Sequence, residues 1–223
     1  MIINNFNDFY DALKYCGFSM GGANDEGIFS VSSMFSDRIQ WHTGDFETDP
    51  WEFRMRVLDE VEDIAYSKVF FRKSGYISKE WYPYFYAIRR KNRTFEEDYS
   101  DGTISLFMKN IYDVIKKNDC IAFHAIKQDC GISKENSSKF EKVIIDLQMR
   151  MYITMCGRQQ KISQKGDGFG WSSTVFCTVE RFFGDDLLEK VVKISENEAI
   201  EKITEQIYRI NPNADFKKII KFI

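Results

Sequence analysis

The chain has 223 residues, 43% of them hydrophobic and 16% aromatic, with a formal charge of −3 at neutral pH. That much apolar material excludes a disordered chain, and no apolar run comes near the roughly 18 residues that a membrane-spanning helix needs. The small negative charge argues against a protein that coats nucleic acid indiscriminately, because such affinity comes from cations set on phosphates.

In chain order, Asn5 or Asn7 caps a short amphipathic helix in "DFYDALKYCG", with Phe6, Phe9, Tyr10 and Leu13 on one face and Gly17 as its stop. Residues 18–48 show no helical period and read as loops with short strands. Asp49 then caps a second helix and Pro50 sits in its first turn, where its missing N–H costs nothing. Trp51, Arg54, Val57, Leu58, Val61 and Ala65 follow at turn spacing, which predicts helix to Ala65. "KVFFRKSGYIS" reads as a strand or a tight turn about Gly75, and Ser78 caps the helical "KEWYPYFYAIRRKN", interrupted or started by Pro83.

From Thr103 the pattern is sharper. "TISLFMKNIYDVIKKN" is a helix with Ile104, Phe107, Ile111, Val114 and Ile115 along one face, "CIAF" is a short apolar run, and "HAIKQDCG" is a helix of about two turns. "SSKFEKVIIDLQMRMYI" has capping-box spacing at Ser138 and Glu141 and a stripe of Phe140, Val143, Ile144, Leu147 and Met151. Two β-rich segments, "MYITMC" and "GWSSTVFC", flank the polar "RQQKISQKGDGF" with its "KGDG" turn. The order of helix, short strand, two helices, strand, turn and strand is that of a winged helix-turn-helix. Helices in "VERFFGDDLLEKVVKI", after Ser195 and after Asn213 close the chain.

The fold class expected is α+β, mostly helical with a winged helix-turn-helix module and a β-hairpin wing. It divides into a helical and loop region (1–100), the winged module (101–182) and C-terminal helices (183–223), joined in one body without a linker. The start "MIINNFNDFYDALKY" lacks a basic stretch followed by an apolar core, so nothing marks it for secretion. Five cysteines, odd in number and without a CxxC pair, predict reduced cytoplasmic thiols and no metal site, and the lack of a P-loop, HExxH, GxSxG or dinucleotide fingerprint predicts no cofactor.

Charge is unevenly spread. Residues 45–63 hold eight acidic side chains against Arg54 and Arg56; residues 68–93 hold eight basic ones against Glu80; residues 139–171 hold six basic against three acidic. One expectation is a two-faced surface with a positive side; the other is that the segments neutralise each other in the fold. In a winged module the third helix would offer Lys139, Lys142 and Arg150 to a groove, and the hairpin would lay Arg158, Lys161 and Lys165 along phosphates. The interleaved aromatics and cations of "FRKSGYISKEWYPYFYAIRR" also suit a nucleic-acid strand, with Arg72, Lys73, Arg89 and Arg90 as its phosphate partners; the same stretch reads equally as a core element with cationic heads in water. The partner expected is DNA, with a protein partner as the alternative.

Four stretches, "TGDFETDPWEFR", "AYSKVFFRKSGYISKEWYPYF", "KFEKVIIDLQMRMYI" and "GFGWSSTVFCTVERFFGDDL", together resemble the bacterial AlkZ-related proteins, winged-helix relatives of AlkZ/YcaQ-type DNA glycosylases that act on alkylpurines and crosslinks. The resemblance runs from about Trp41 to about Leu188 and implies a DNA-repair setting. The glycosylase relatives carry a glutamine–any–glutamine or glutamine–any–aspartate element in the N-terminal half. Here Gln40 is followed by Trp41 and His42, and the adjacent Gln159 and Gln160 fall in the expected wing, so enzyme activity stays open. Base excision asks for a carboxylate to orient water and aromatic walls to hold a flipped base. Asp45, Asp49 or Glu52 would serve as the first and Trp41, Trp51 or Phe53 as the second; Asp49 before proline reads foremost as a helix cap, and Trp51 and Phe53 foremost as core or interdomain packing. His42 is a weak candidate base, and His124 reads as structural.

Overall fold

Asn5 opens α1 (Phe6–Cys16) by accepting the Asp8 backbone N–H on its side chain, and Gly17 ends the helix with φ at 78°. The computed structural model describes residues 1–23, 26–162 and 168–223, with Phe169, Trp171 and Asp185 described by backbone alone. After α1 come β1 (Phe18–Met20), a 3₁₀ turn (Val31–Met34), α2 (Pro50–Glu60), β2 (Ile64–Phe70), β3 (Lys73–Ser78), α3 (Tyr82–Arg90) and α4 (Phe95–Ser100). The chain continues with α5 (Leu106–Lys117), β4 (Ile121–Ala122), α6 (Phe123–Asp129), α7 (Ser137–Met149), β5 (Ile153–Ile162) and β6 (Gly168–Thr178). It ends with α8 (Val179–Phe183), α9 (Asp185–Val191), α10 (Glu196–Ile210) and α11 (Phe216–Phe222). The fold is α+β: helices predominate around two antiparallel three-stranded sheets, ordered β1–β3–β2 and β4–β6–β5.

Several boundaries differ from the sequence expectation. The second helix stops at Glu60, and Ile64 and Ala65, read as its last turn, open β2, which runs to Phe70. That strand is buried on both faces, Ile64 and Tyr66 entering one core and Ala65 and Phe70 the other, so its apolar residues fit a helical or an extended period equally well. Gly75 is not at a turn. It lies within β3, where a Cβ would stand 2.3 Å from Cδ2 of Phe70 and 3.0 Å from the Ser19 carbonyl oxygen. The turn is Phe71–Arg72, both residues left-handed (φ 49° and 63°) between the paired Phe70 and Lys73, a two-residue hairpin turn of the type usually given to asparagine and glycine. Asn136, not Ser138, precedes the first turn of α7, and Asp215, not Asn213, caps α11. A helix absent from the sequence reading, α4, is held by a capping box between Thr94 and Glu97.

Two cores result. The first joins α1, α2 and one face of the N-terminal sheet to α5, α6, α7 and the roots of β5 and β6. The second packs the other face of that sheet and α3 against α8 to α11; Phe222 stacks on Phe70 with ring centroids 4.0 Å apart and also meets Phe18 and Phe85. β2 is the seam between them. Its Lys68 N–H donates to Oε1 of Gln148 in α7, and its Ser67 hydroxyl lies 3.2 Å from that of Thr154 in β5.

Candidate nucleic-acid interface

Helices α5, α6 and α7 precede the β5–β6 hairpin, and the short β4 pairs with the outer edge of β6, Ile121 with Phe176 and Ala122 with Val175. Two bulges interrupt the hairpin, between Met155 and Gly157 and between Gln159 and Lys161. On α7, Lys139 and Lys142 are exposed and Arg150 is partly exposed. Lys139 rests its ammonium 4.5 Å from the Phe107 ring centroid and makes no ion pair among the described residues. Lys161 is partly exposed on β5; Lys165 lies outside the described residues.

Other candidates are engaged by the chain itself. Arg158 donates to Asp59 of α2 at 2.8 Å. The Phe71–Arg72 turn swings Arg72 onto α7, where it pairs with Asp146. Lys73 pairs with Glu26 at 3.1 Å. The acidic stretch 45–63 is answered by Lys14 at Asp63, Arg56 at Glu47 and Glu60, and Arg158 at Asp59, so it is balanced mainly by residues outside the basic 68–93 segment.

Arg89 and Arg90 face inward. Arg89 donates to the carbonyls of Val69 (2.7 Å), Met149 (3.2 Å), Phe222 (2.8 Å) and Ile223 (2.8 Å), and burial pushes its guanidinium down to about 10. Arg90, 5% exposed, donates to the carbonyls of Met151 and Arg93 and pairs with Glu180. Arg90 is buried and Arg89 partly so, and these bonds commit both to the chain's own oxygens. The aromatics and cations of α3 therefore belong to a largely buried helix, with Tyr84 and Arg89 partly exposed and its guanidiniums bonded to backbone oxygens of neighbouring elements.

The catalytic candidates separate similarly. Asp49 is 1% exposed, and its carboxylate accepts the backbone N–H groups of Trp51 (2.8 Å), Gly44 (2.8 Å) and His42 (3.1 Å). Burial raises its pKa, but the donors of Gly44, Trp51 and His42 outweigh that and hold it below the usual carboxylate value. Asp49 thus caps α2 and ties down the 42–49 loop. Trp51 and Glu52 line a cleft of about 480 Å³ with Arg54, Met55 and Leu58 of α2 on one wall and Gly157, Arg158, Ser172 and Thr174 of the hairpin on the other. The Arg54 guanidinium lies 3.0 Å from the Trp51 ring centroid, and its Nε is buried with no hydrogen-bond partner among the described residues. Sequence spacing gave no sign that the hairpin forms this cleft's second wall.

A second cleft, about 420 Å³, opens between α6, α7 and the hairpin and shares Ser172 and Thr174 with the first. It holds His124, Glu141, Gln148 and Lys161. Nδ1 of His124 is buried there, again without a partner among the described residues.

A family model described as AlkZ related matches residues 3–223. The chain belongs to the AlkZ-related family. Membership suggests a DNA glycosylase-like, DNA-binding protein and extends the likeness beyond the central segments to nearly the whole chain. No curated protein and no solved structure matches it. No helix among the described residues of this AlkZ-related protein is long and apolar enough to cross a membrane.

Proposed function

We propose that this AlkZ-related protein binds duplex or damaged DNA through a winged helix-turn-helix formed by residues 105–178. The observation that carries this reading is the strand order β4–β6–β5 behind three helices, with α7 and the hairpin on adjoining surfaces. Lys139, Lys142 and Arg150 line the α7 side, and Arg158 and Lys161 the hairpin side. The Arg158–Asp59 pair does not oppose this, since an exposed pair is worth only about 0–1 kcal/mol and a phosphate can replace the carboxylate. Arg72 and Lys73 join the same way, by exchanging Asp146 and Glu26 for phosphates. Arg89 and Arg90 play no part in the proposed contact.

The test is the salt dependence of duplex binding. Each phosphate contact adds about 0.9 to the slope of log K against log salt, so Arg158→Glu with Lys161→Glu should flatten it by about 1.8 and weaken binding. An unchanged slope and affinity would overturn the assignment.

The α2–hairpin cleft favours a second reading, excision of a base. It joins an aromatic ring, a carboxylate and guanidinium donors, the groups that hold a flipped base and orient water. Glu52 is the residue to test, because the oxygens of Asp49 already serve three backbone donors. Release of modified base from alkylated duplex should stop in Glu52→Gln; undiminished release would remove Glu52 from the mechanism.

A further inference from the structure

The sequence scatters its five cysteines, yet the second sheet gathers three of them. In the β4–β6 register Ile121 faces Phe176, so one step outward Cys120 stands beside Cys177. On the other side of β6, Thr154 faces Cys177, Met155 faces Phe176 and Gly157 faces Val175, which makes Cys156 the extra residue of a bulge. The central strand thus carries Cys177 between a cysteine from each neighbour. The three Sγ atoms lie within 4.8 Å of one another, with Cys120 and Cys156 at 3.4 Å.

We propose that Cys120, Cys156 and Cys177 form a trithiolate site for one thiophilic divalent cation, zinc foremost, at the root of the hairpin. Zinc–sulfur bonds of about 2.3 Å put tetrahedral sulfurs about 3.8 Å apart, so side-chain shifts of about 1 Å suffice and the strands stay in place. The thiols line a cavity of about 430 Å³ together with Asp59, Glu60, Glu62 and Arg181. Asp59 and Glu60 are paired with Arg158 and Arg56. Glu62, exposed and with no ion pair among the described residues, supplies the fourth donor directly or through a water. Three thiolates and a dication leave one net negative charge, or two where Glu62 binds directly; Arg181, which pairs with Asp119 at 3.5 Å, stands at the rim of the same cavity. As each sulfur–metal bond forms, its thiol gives its proton to the solvent, three protons for one ion.

A nucleophilic role fits the same atoms less well. Burial pushes the Cys120 thiol up to about 11, and a hydrogen bond with Cys177 together with burial raises Cys156 further, whereas reactive cysteines are held low. Burial alone does not decide this; the convergence of three sulfurs does.

The test uses the full chain, reduced and kept from air, titrated with Cd(II) and Zn(II). Expected are thiolate-to-cadmium charge-transfer absorption that saturates at one equivalent, displacement by Zn(II), and a rise in unfolding temperature with zinc. Cys120→Ser, at an exposed position, should lose more than about 100-fold in affinity, since even an outer-shell partner is worth about 10- to 100-fold. Cys130→Ser should bind as the parent does. Absence of the absorption band, or equal cadmium binding by Cys120→Ser, would overturn the proposal.

Discussion

Replacing Arg89 by methionine separates a structural guanidinium from a phosphate contact. Methionine keeps much of the apolar stem near Phe70 and Phe85 but removes every donor to Val69, Met149, Phe222 and Ile223. The last two carbonyls sit at the C-terminal end of α11, where water can take over. Those of Val69 and Met149 lie between β2, α3 and α7 and lose a charged partner, at about 2 kcal/mol each. Allowing about 1 kcal/mol for the packing that methionine retains, Arg89→Met should be destabilised by about 3 kcal/mol. For a chain of this size that lowers the unfolding midpoint by about 6–12 °C. The measurement pairs thermal unfolding with duplex binding at a temperature where both proteins are folded, and the salt slope should be unchanged. A midpoint within about 2 °C of the parent, with weakened DNA binding, would refute the assignment of Arg89 to the interior.

Asp49→Ala should cost about 2–3 kcal/mol in urea unfolding, from the lost cap and two loop N–H groups left without an acceptor, with Asp49→Asn recovering most of it. Because the Asp49 pKa is depressed in the folded state, its contribution is complete above the unfolded value near 3.9 and is lost as pH falls through the folded value, so the gap between parent and Asp49→Asn should close in acid. Gly75→Ala should destabilise by about 1–3 kcal/mol through the Phe70 ring, and Phe70→Leu in the same chain should recover part of it; additive losses in the two variants would argue against the clash. Arg72→Gly should be close to neutral, relief of the left-handed backbone offsetting an exposed ion pair worth at most about 1 kcal/mol, whereas Arg72→Val should lower stability clearly.

Local signals were read reliably where capping residues and a single buried face coincide. Asn5, Asp49 and Ser195 each cap the helix that the sequence assigns them, and the alternating segments on either side of residues 163–167 pair as a hairpin. Ile64 and Ala65 misled because a strand buried on both faces has no polar side to reveal its period. At the candidate interface, residue type marks the cations but not their direction: nothing in "YAIRR" says that Arg89 and Arg90 bond to the chain's own oxygens while Lys139 and Lys142 stay exposed. The Cys120, Cys156 and Cys177 cluster was invisible for a related reason. It depends on strand register and on one bulge, which no short-range spacing records.

The stacking of Phe222 on Phe70 also bears on how the chain comes to be folded. During synthesis, the hydrophobic pocket formed by Phe18, Phe70 and Phe85 is laid down long before residues 216–222 have been made. Such distant pairing slows the search for the native state and leaves the pocket open meanwhile to whatever apolar surface arrives first. Until α11 is made, the aromatic surface that Phe222 covers stays uncovered in that early half.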